Sequence, residues 1–451
     1  MIFDKIKIYS YYNKVPYFVK DILLDLYFYF SLYKRTRSIK SVLLRNSIDI
    51  ETLRRDRLSK LLISGFGTDF WKKVYLDLNI SKYDCIHSPY LVYEKLPIIN
   101  KCDVKLNNQA FINRDFKKES LIKTSTSGST GSALTFFETK QAERERWAVW
   151  WRYRQSIGIR FFTRCAYFGG KSITTGKKNR FWVGGLISPQ LNFSSFHISQ
   201  ENVFFYVKQL NKFKPQWIHG YPSALHLLSK FALDAGLELE FDVKVITIGS
   251  ESLLDYQKDS IEKFFKNRVF QHYGLAESVA NISEDKLGNL RVDEDFSLVD
   301  FFPVSGAKDT YKIIGSNFSN LAFPLIKYDT GDVVYSSYDL SIKNTNRRVQ
   351  RIDGRVEDYL FLPNGIRIGR LAEVFKKYNE IIESQIHQLK DYSIEVRLVV
   401  NELIPLALED ELISSICTKL NYELSINIIY VDSIPKTKNG KLRFITTELE
   451  L

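Results

Sequence analysis

From about residue 120 the chain alternates short apolar runs, glycine-bearing turns and longer amphipathic stretches. "FDVKVITIGS" (241–250) reads as a buried strand running into a loop, and "RVFQHYGLAES" (268–278) and "LAFPLIKYDTGD" (321–332) repeat that plan. Helical patterns fill the intervals, notably over 140–156 and 255–267. Strands that alternate with helices in this way predict an α/β architecture with its loops gathered at the strand ends, where ligands bind.

The two ends of the chain differ from this middle. Residues 1–100 read as a helical leader, with segments such as "ETLRRDRLSKLLISGFG" (51–67) stopping in glycines. After about residue 354 a smaller pattern begins. "YSIEVRLVV" (392–400) is a strand, "PLALEDELISSICTKL" (405–420) an amphipathic helix and "SINIIYV" (425–431) a second strand. Such a β-α-β set can bury its own core, so the expected division is a large domain over 1–353 and a small α+β lid over 354–451.

Composition narrows the partners. With 451 residues and 45% hydrophobic content the chain has ample core for more than one domain. Lys and Arg number 64 against 52 Asp and Glu, a net charge of +12, which suits an anionic partner. No long Lys/Arg block occurs, so a nucleotide is favoured and nucleic acid is not expected. Cys85, Cys102, Cys165 and Cys417 are far apart, which implies reduced, buried thiols and neither a metal site nor a disulfide framework. The polar start "MIFDKIKIYSYYNK" is no signal peptide, so a cytoplasmic protein is expected. In "VKDILLDLYFYFSLYKR" (19–35) the uncharged core, Leu26 to Tyr33, is well short of the roughly 20 residues that a membrane span needs. It reads as a buried or partner-packed helix. A peripheral membrane helix is the alternative, helped by Lys34, Arg35 and Arg37 behind it.

Five short motifs carry the chemistry. "KTSTSGSTGSALTF" (123–136) packs Thr, Ser and Gly into positions 124–131. It is not the common phosphate loop, because Ser132 and not Lys follows Gly131. Gly128 and Gly131 still let the backbone approach a ligand closely. The hydroxyls of Thr126, Ser127, Ser129 and Thr130 with nearby N–H groups can cradle an anion. Taken alone such a stretch is more often a mere turn or linker, although a tether would not run straight into "ALTFFET". "YGLAES" (273–278) puts Tyr273, Gly274 and Glu277 at a strand end, suited to a flat ring and a metal ion, or simply to a helix start. "YDTGD" (328–332) sets Asp332 after a Thr-Gly turn, where a carboxylate can take two ribose hydroxyls; a plain hairpin turn has the same composition. "RIDGRVEDYL" (351–360) holds Arg355 and Glu357, a nucleotide contact and a hinge or else a charged linker. "PKTKNGKLRF" (435–444) holds Lys441 directly after an Asn-Gly hairpin signal.

The order and spacing of these motifs resemble the adenylate-forming superfamily over nearly the whole chain. The resemblance is strongest to the phenylacetate–CoA ligase branch and its capsular-polysaccharide ligases, through "LPIINKCDV" (96–104) and "WIHGYPSALHLL" (217–228). "IGSESL" (248–253) is similar to the adenine-side segment, with Ser250 where a second Gly is common. Two departures stand out. Ser132-Ala133 replaces the Pro-Lys that often follows the loop. "SVANISED" (278–285) lacks the cysteines with which some relatives hold zinc, so no zinc is expected.

The resemblance implies an ATP-dependent, AMP-forming ligase. Residues 126–131 would grip the β- and γ-phosphates. Tyr273 and Gly274 with Gly249, Ser250 and Glu251 would enclose adenine, while Asp332 and Arg355 would fix the ribose. Glu277 would hold Mg²⁺, Lys441 would bridge the acid and the α-phosphate, and Glu357 would be the pivot of a rotating lid. The acyl group would pass to coenzyme A by default, or to an amine or hydroxyl for a polysaccharide-linked relative. His219, Tyr221 and His272 are equally substrate contacts or core residues. A non-catalytic scaffold or peripheral membrane relative is the contrasting reading, and the joint presence of Glu277, Asp332, Arg355 and Lys441 argues against it.

Overall fold

The computed structural model describes residues 19, 21–23, 25, 26, 29, 30, 39–126, 134–169, 179–305, 307–341, 346–355, 360–363, 367, 368, 371–375, 378, 380–400, 402–420, 422–435 and 442–449. It divides into two compact units. One comprises Met1–Arg35, Ile157–Phe270 and Lys436–Leu442; the other comprises Thr36–Ser156, Gln271–Pro435 and Arg443–Leu451.

The second unit begins with short helices, α1 (Ile39–Leu43), α2 (Ile50–Gly65), α3 (Asp69–Asp77), α4 (Lys82–His87), α5 (Pro89–Lys95) and α6 (Lys101–Leu106). Side-chain caps set their starts: Asp49 accepts the Thr52 N–H, Thr68 the Trp71 N–H, and Ser81 and Asn100 each form a capping box. Their apolar faces bury Leu58, Leu62, Trp71 and Tyr75 in a core shared with Phe111, Phe136 and Phe323. Trp71 donates its indole N–H to the Pro324 carbonyl at 2.9 Å, so that large ring is buried without an orphan donor. A hairpin follows, β1 (Ile122–Ser125) antiparallel to β2 (Thr135–Glu138), and then α7 (Lys140–Ser156).

The first unit holds β3 (Cys165–Gly169), β4 (Trp182–Gly184), β5 (Gln190–Ser194), α8 (Val203–Phe213), β6 (Trp217–Gly220), α9 (Pro222–Asp234), β7 (Val245–Ile248) and α10 (Asp255–Phe265). Its strands lie in the order β7-β6-β3-β5-β4, parallel throughout except for β4. The run "VITI" of β7 is buried at every position, as a strand covered on both faces must be.

Returning to the second unit, β8 (Val269–Gly274), β9 (Asn281–Glu284) and β10 (Leu290–Val292) form an antiparallel meander edged by β14 (Arg348–Val349). Beside them β11 (Ser297–Pro303), β12 (Thr310–Asn317), β13 (Tyr328–Tyr335) and β15 (Arg351–Arg355) make a four-stranded antiparallel sheet in that order. Last come β18 (Ile381–Gln388), β19 (Ile394–Val400), α11 (Leu406–Leu420), β20 (Ile426–Tyr430) and β21 (Ile445–Thr447), numbered after the short pair β16 (Leu360–Phe361) and β17 (Arg367–Ile368). Because β19 and β20 are parallel, the chain needs a crossover, which α11 supplies. Ile386, Val396, Leu398, Leu412, Ile416 and Ile445 bury one another in a core of their own. The fold class is α/β, with a large N-terminal part and this small C-terminal α+β part.

Three expectations change. Within 19–35 the described apolar residues are not buried: Leu23, Leu26, Tyr29 and Phe30 are exposed, and it is Asp21 and Asp25 that face inward. Of the four thiols, all free, Cys85 and Cys165 are buried, but Cys102 is exposed and Cys417 only half-buried. Thr330-Gly331 is not a turn after a strand. It is a bulge inside β13, where residues 330–332 stand against the single residue Ile313 of β12.

Candidate functional site

The hydroxyl- and glycine-rich loop is the tip of the β1–β2 hairpin. Thr126 closes its base, accepting the Leu134 N–H on Oγ1 at 3.0 Å while its own N–H donates to the Leu134 carbonyl at 2.8 Å. Ser127, Gly128, Ser129, Thr130 and Gly131 lie outside the described residues. Thr126 and Leu134 close the base of a paired hairpin, which removes the linker alternative for that base.

Within the same unit β8 delivers Tyr273 and Gly274, and β13 delivers Asp332. The bulge brings two of them together: the Tyr273 hydroxyl donates to Asp332 Oδ2 at 2.7 Å. Gly331 takes φ of +72°, a conformation that glycine adopts without penalty, and its N–H donates to Asp329. The Asp332 N–H then donates to Thr330 Oγ1, and Thr330 Oγ1 itself donates to the Ile313 carbonyl. Burial, and then the neighbouring Asp332 charge, push the Tyr273 hydroxyl well above its ordinary range, so it remains a donor at any physiological pH. Asp332 pairs in register with Arg355 of β15, which is described by its backbone alone.

Glu277 sits in the turn after β8, 8% exposed. Three contacts hold that turn. Arg146 of α7 donates to the Ala276 carbonyl at 2.7 Å, Asn317 of β12 donates to the Glu277 carbonyl at 3.3 Å, and Gly315 lies against the Val279 carbonyl. A β-carbon on Gly315 would stand 2.1 Å from that oxygen. Gly315→Ala is therefore expected to displace the Glu277 turn and cost about 1–3 kcal/mol, read by chemical denaturation.

Arg146 reaches further. It makes a bidentate pair with Glu138 of β2, at 2.7 and 3.0 Å, and Glu138 also accepts the Thr124 hydroxyl of β1 at 2.6 Å. Arg146 and Glu138 are 7% and 2% exposed. One guanidinium thus ties the hairpin that carries the hydroxyl loop to the turn that carries Glu277. The sequence reading missed Arg146, Glu138, Asn317 and Gly315. Their only local signal was a charged pair on either side of the β2–α7 junction.

In the other unit, Gly249, Ser250 and Glu251 follow β7. Ser250 adopts φ of +72°, which explains why glycine suits that position. Glu251 caps α9, accepting the Ser223 N–H and hydroxyl, both at 3.1 Å. It also accepts the Leu442 N–H at 2.9 Å, next in sequence to Lys441. Lys441 and Glu357 lie outside the described residues. His219 bonds to Thr247 and packs beside Tyr167 and Trp217, and His272 in the second unit stacks on Tyr153. Among the described residues no group of three or more His, Cys, Asp or Glu could hold a metal ion.

Comparison with solved structures decides the architecture. A 2-hydroxyisobutyryl-CoA ligase, solved in its postadenylation state with an acyl-AMP, superposes with a TM-score of 0.65 at 15% identity, covering 88% of this chain and 89% of that one. The chain has the fold of the adenylate-forming ligases. An anthranilate CoA ligase in complex with anthranoyl-AMP shares this adenylate-forming fold with a TM-score of 0.52 at 14% identity, over 72% of this chain and 66% of its own. Residues 360–448 match the family described as the CapK C-terminal domain. Protein CapK of Staphylococcus aureus is 29% identical over 371 residues, 79% of this chain and 80% of that protein.

Proposed function

We propose that the chain is an ATP-dependent, AMP-forming ligase that activates a carboxylic acid as its acyl-adenylate and transfers the acyl group to an acceptor, with coenzyme A as the default. The observation that carries this reading is the hydrogen bond from half-buried Tyr273 to buried Asp332, which is in register with Arg355, within a fold shared with two CoA ligases solved with acyl-AMPs. Tyr273 offers a ring for adenine and Asp332 keeps acceptor capacity for the ribose hydroxyls. The hairpin loop offers hydroxyl and N–H donors to the β- and γ-phosphates.

In the first step a carboxylate oxygen of the acid attacks the α-phosphorus, the bond to the β-phosphate oxygen breaks and pyrophosphate leaves. Both reactants are anions, so placed positive charge and donors dominate the barrier. Lys441 supplies the charge between carboxylate and α-phosphate. Glu277, whose buried carboxylate suits a hard cation, would hold the Mg²⁺ that offsets phosphate charge. In the second step the acceptor attacks the acyl carbon and AMP leaves. The sequence resemblance to the capsule branch supports a role in surface-polysaccharide assembly in the cytoplasm, where an amine or hydroxyl of a sugar would take the place of the thiol.

The test is ATP–pyrophosphate exchange by the full chain across a panel of carboxylic acids, followed by AMP release with CoA, amines or sugar nucleotides. Exchange with one acid class is expected. If no acid supports exchange while ATP still binds, the ligase reading fails.

A further inference from the structure

The segment that begins the chain's described residues is amphipathic in the wrong sense for a core helix. Helical residues between 19 and 30 turn their acids inward. Asp25 accepts the N–H groups of Gly185, Leu186 and Ile187 at 3.0, 2.9 and 2.7 Å, and the Ser188 hydroxyl at 2.6 Å. Asp21 accepts the Gly184 N–H at 2.7 Å and Arg180 at 2.6 Å. Two carboxylates that take six donors between them dock the segment without using its apolar side.

That side therefore points out, and it is continuous with its neighbours. Phe30 is 61% exposed, and Leu23 and Leu26 are 49% and 42% exposed. Leu186 and Ile187, each 64% exposed, belong to the very turn that Asp25 binds. Phe162, 66% exposed, lies with its ring 6.5 Å from that of Tyr29. Large exposed apolar side chains gathered in one patch mark an interaction surface.

Exposed basic residues adjoin members of the patch in sequence. Arg160 and Arg164 are exposed on either side of Phe162. Lys212 and Lys214 are exposed on either side of Phe213, whose ring would lie 3.1 Å from a β-carbon on Gly185. Lys34, Arg35 and Arg37 follow the segment in sequence. Exposed leucine and aromatic side chains, with exposed Lys and Arg next to them in the chain, complement an anionic bilayer surface: apolar groups enter the acyl boundary and cations meet the headgroups. No helix among the described residues is long and apolar enough to cross a membrane, so the contact would be peripheral.

We infer that this patch binds the chain reversibly to an anionic lipid surface. The inference is independent of the ligase reading. The test is co-sedimentation of the full chain with phosphatidylcholine vesicles, with and without roughly one-third phosphatidylserine. Binding to the anionic vesicles about tenfold or more above the neutral ones is expected, and it should weaken as salt is raised. Leu26→Glu with Phe30→Glu should lower partitioning by about 10²-fold. Because both side chains are already exposed, the thermal midpoint and the solution exchange activity should be unchanged. Equal partitioning of variant and wild type, or no binding to anionic vesicles, would overturn the inference. So would a wild-type dimer that the double variant dissociates, which would assign the face to a second copy of the chain.

Discussion

Lys441→Ala is expected to lower ATP–pyrophosphate exchange by about 10²–10³-fold, the usual effect of removing one preorganised charge contact from a transition state, while ATP binding largely survives. The asymmetry follows from where the charge is needed. In the proposed reading, ground-state ATP would already find donors at the hydroxyl loop and a ribose partner in Asp332. The lysine matters when the second anion, the substrate carboxylate, closes on the α-phosphorus. Leu442, its neighbour, is held through its N–H by Glu251, whose other contacts cap α9. The measurement is exchange rate against nucleotide affinity for the same variant. A variant that exchanges at nearly the wild-type rate removes Lys441 from the mechanism.

Arg146→Ala carries the largest expected loss of stability, about 3–5 kcal/mol, because it strands Glu138 as a buried, unpaired carboxylate. Denaturant unfolding reads that loss. Replacing both partners, Arg146→Met with Glu138→Leu, should recover most of the stability, since a buried ion pair contributes little net against apolar groups of similar size. Exchange activity should stay low in the double variant. It still lacks the donor to the Ala276 carbonyl and the acceptor for the Thr124 hydroxyl, so the Glu277 turn and the hairpin are no longer held to each other. If the double variant regains both stability and exchange, Arg146 is structural only.

Much of the architecture is visible in local patterns. The helix expected over 140–156 is α7, residues Lys140–Ser156, and that expected over 255–267 is α10, Asp255–Phe265. The terminal strand, helix and strand lie where their periodicities place them. What local pattern misreads depends on partners remote in sequence. The acids at 21 and 25 look like interruptions of an apolar run until their donors, about 160 residues later, are known. Arg146 lies in "ERERWAVWWRYR" and reads there as one more solvated charge; only folding brings Glu138 and the Ala276 carbonyl to it. The Thr-Gly pair before Asp332 has turn composition, yet flanking strands on both sides keep it within a sheet, and the irregularity is absorbed as a bulge.

That irregularity has a parity. Three residues of β13 face one of β12, so the excess is two, an even number, and the in–out alternation of side chains keeps its phase from one end of the strand to the other. Removing Gly331 alone would leave an odd excess and send either the Asp329 side or the Val333 side of the strand to the opposite face. Shortening here is thus tolerable only two residues at a time, and the shortest such deletion erases the geometry that presents Asp332.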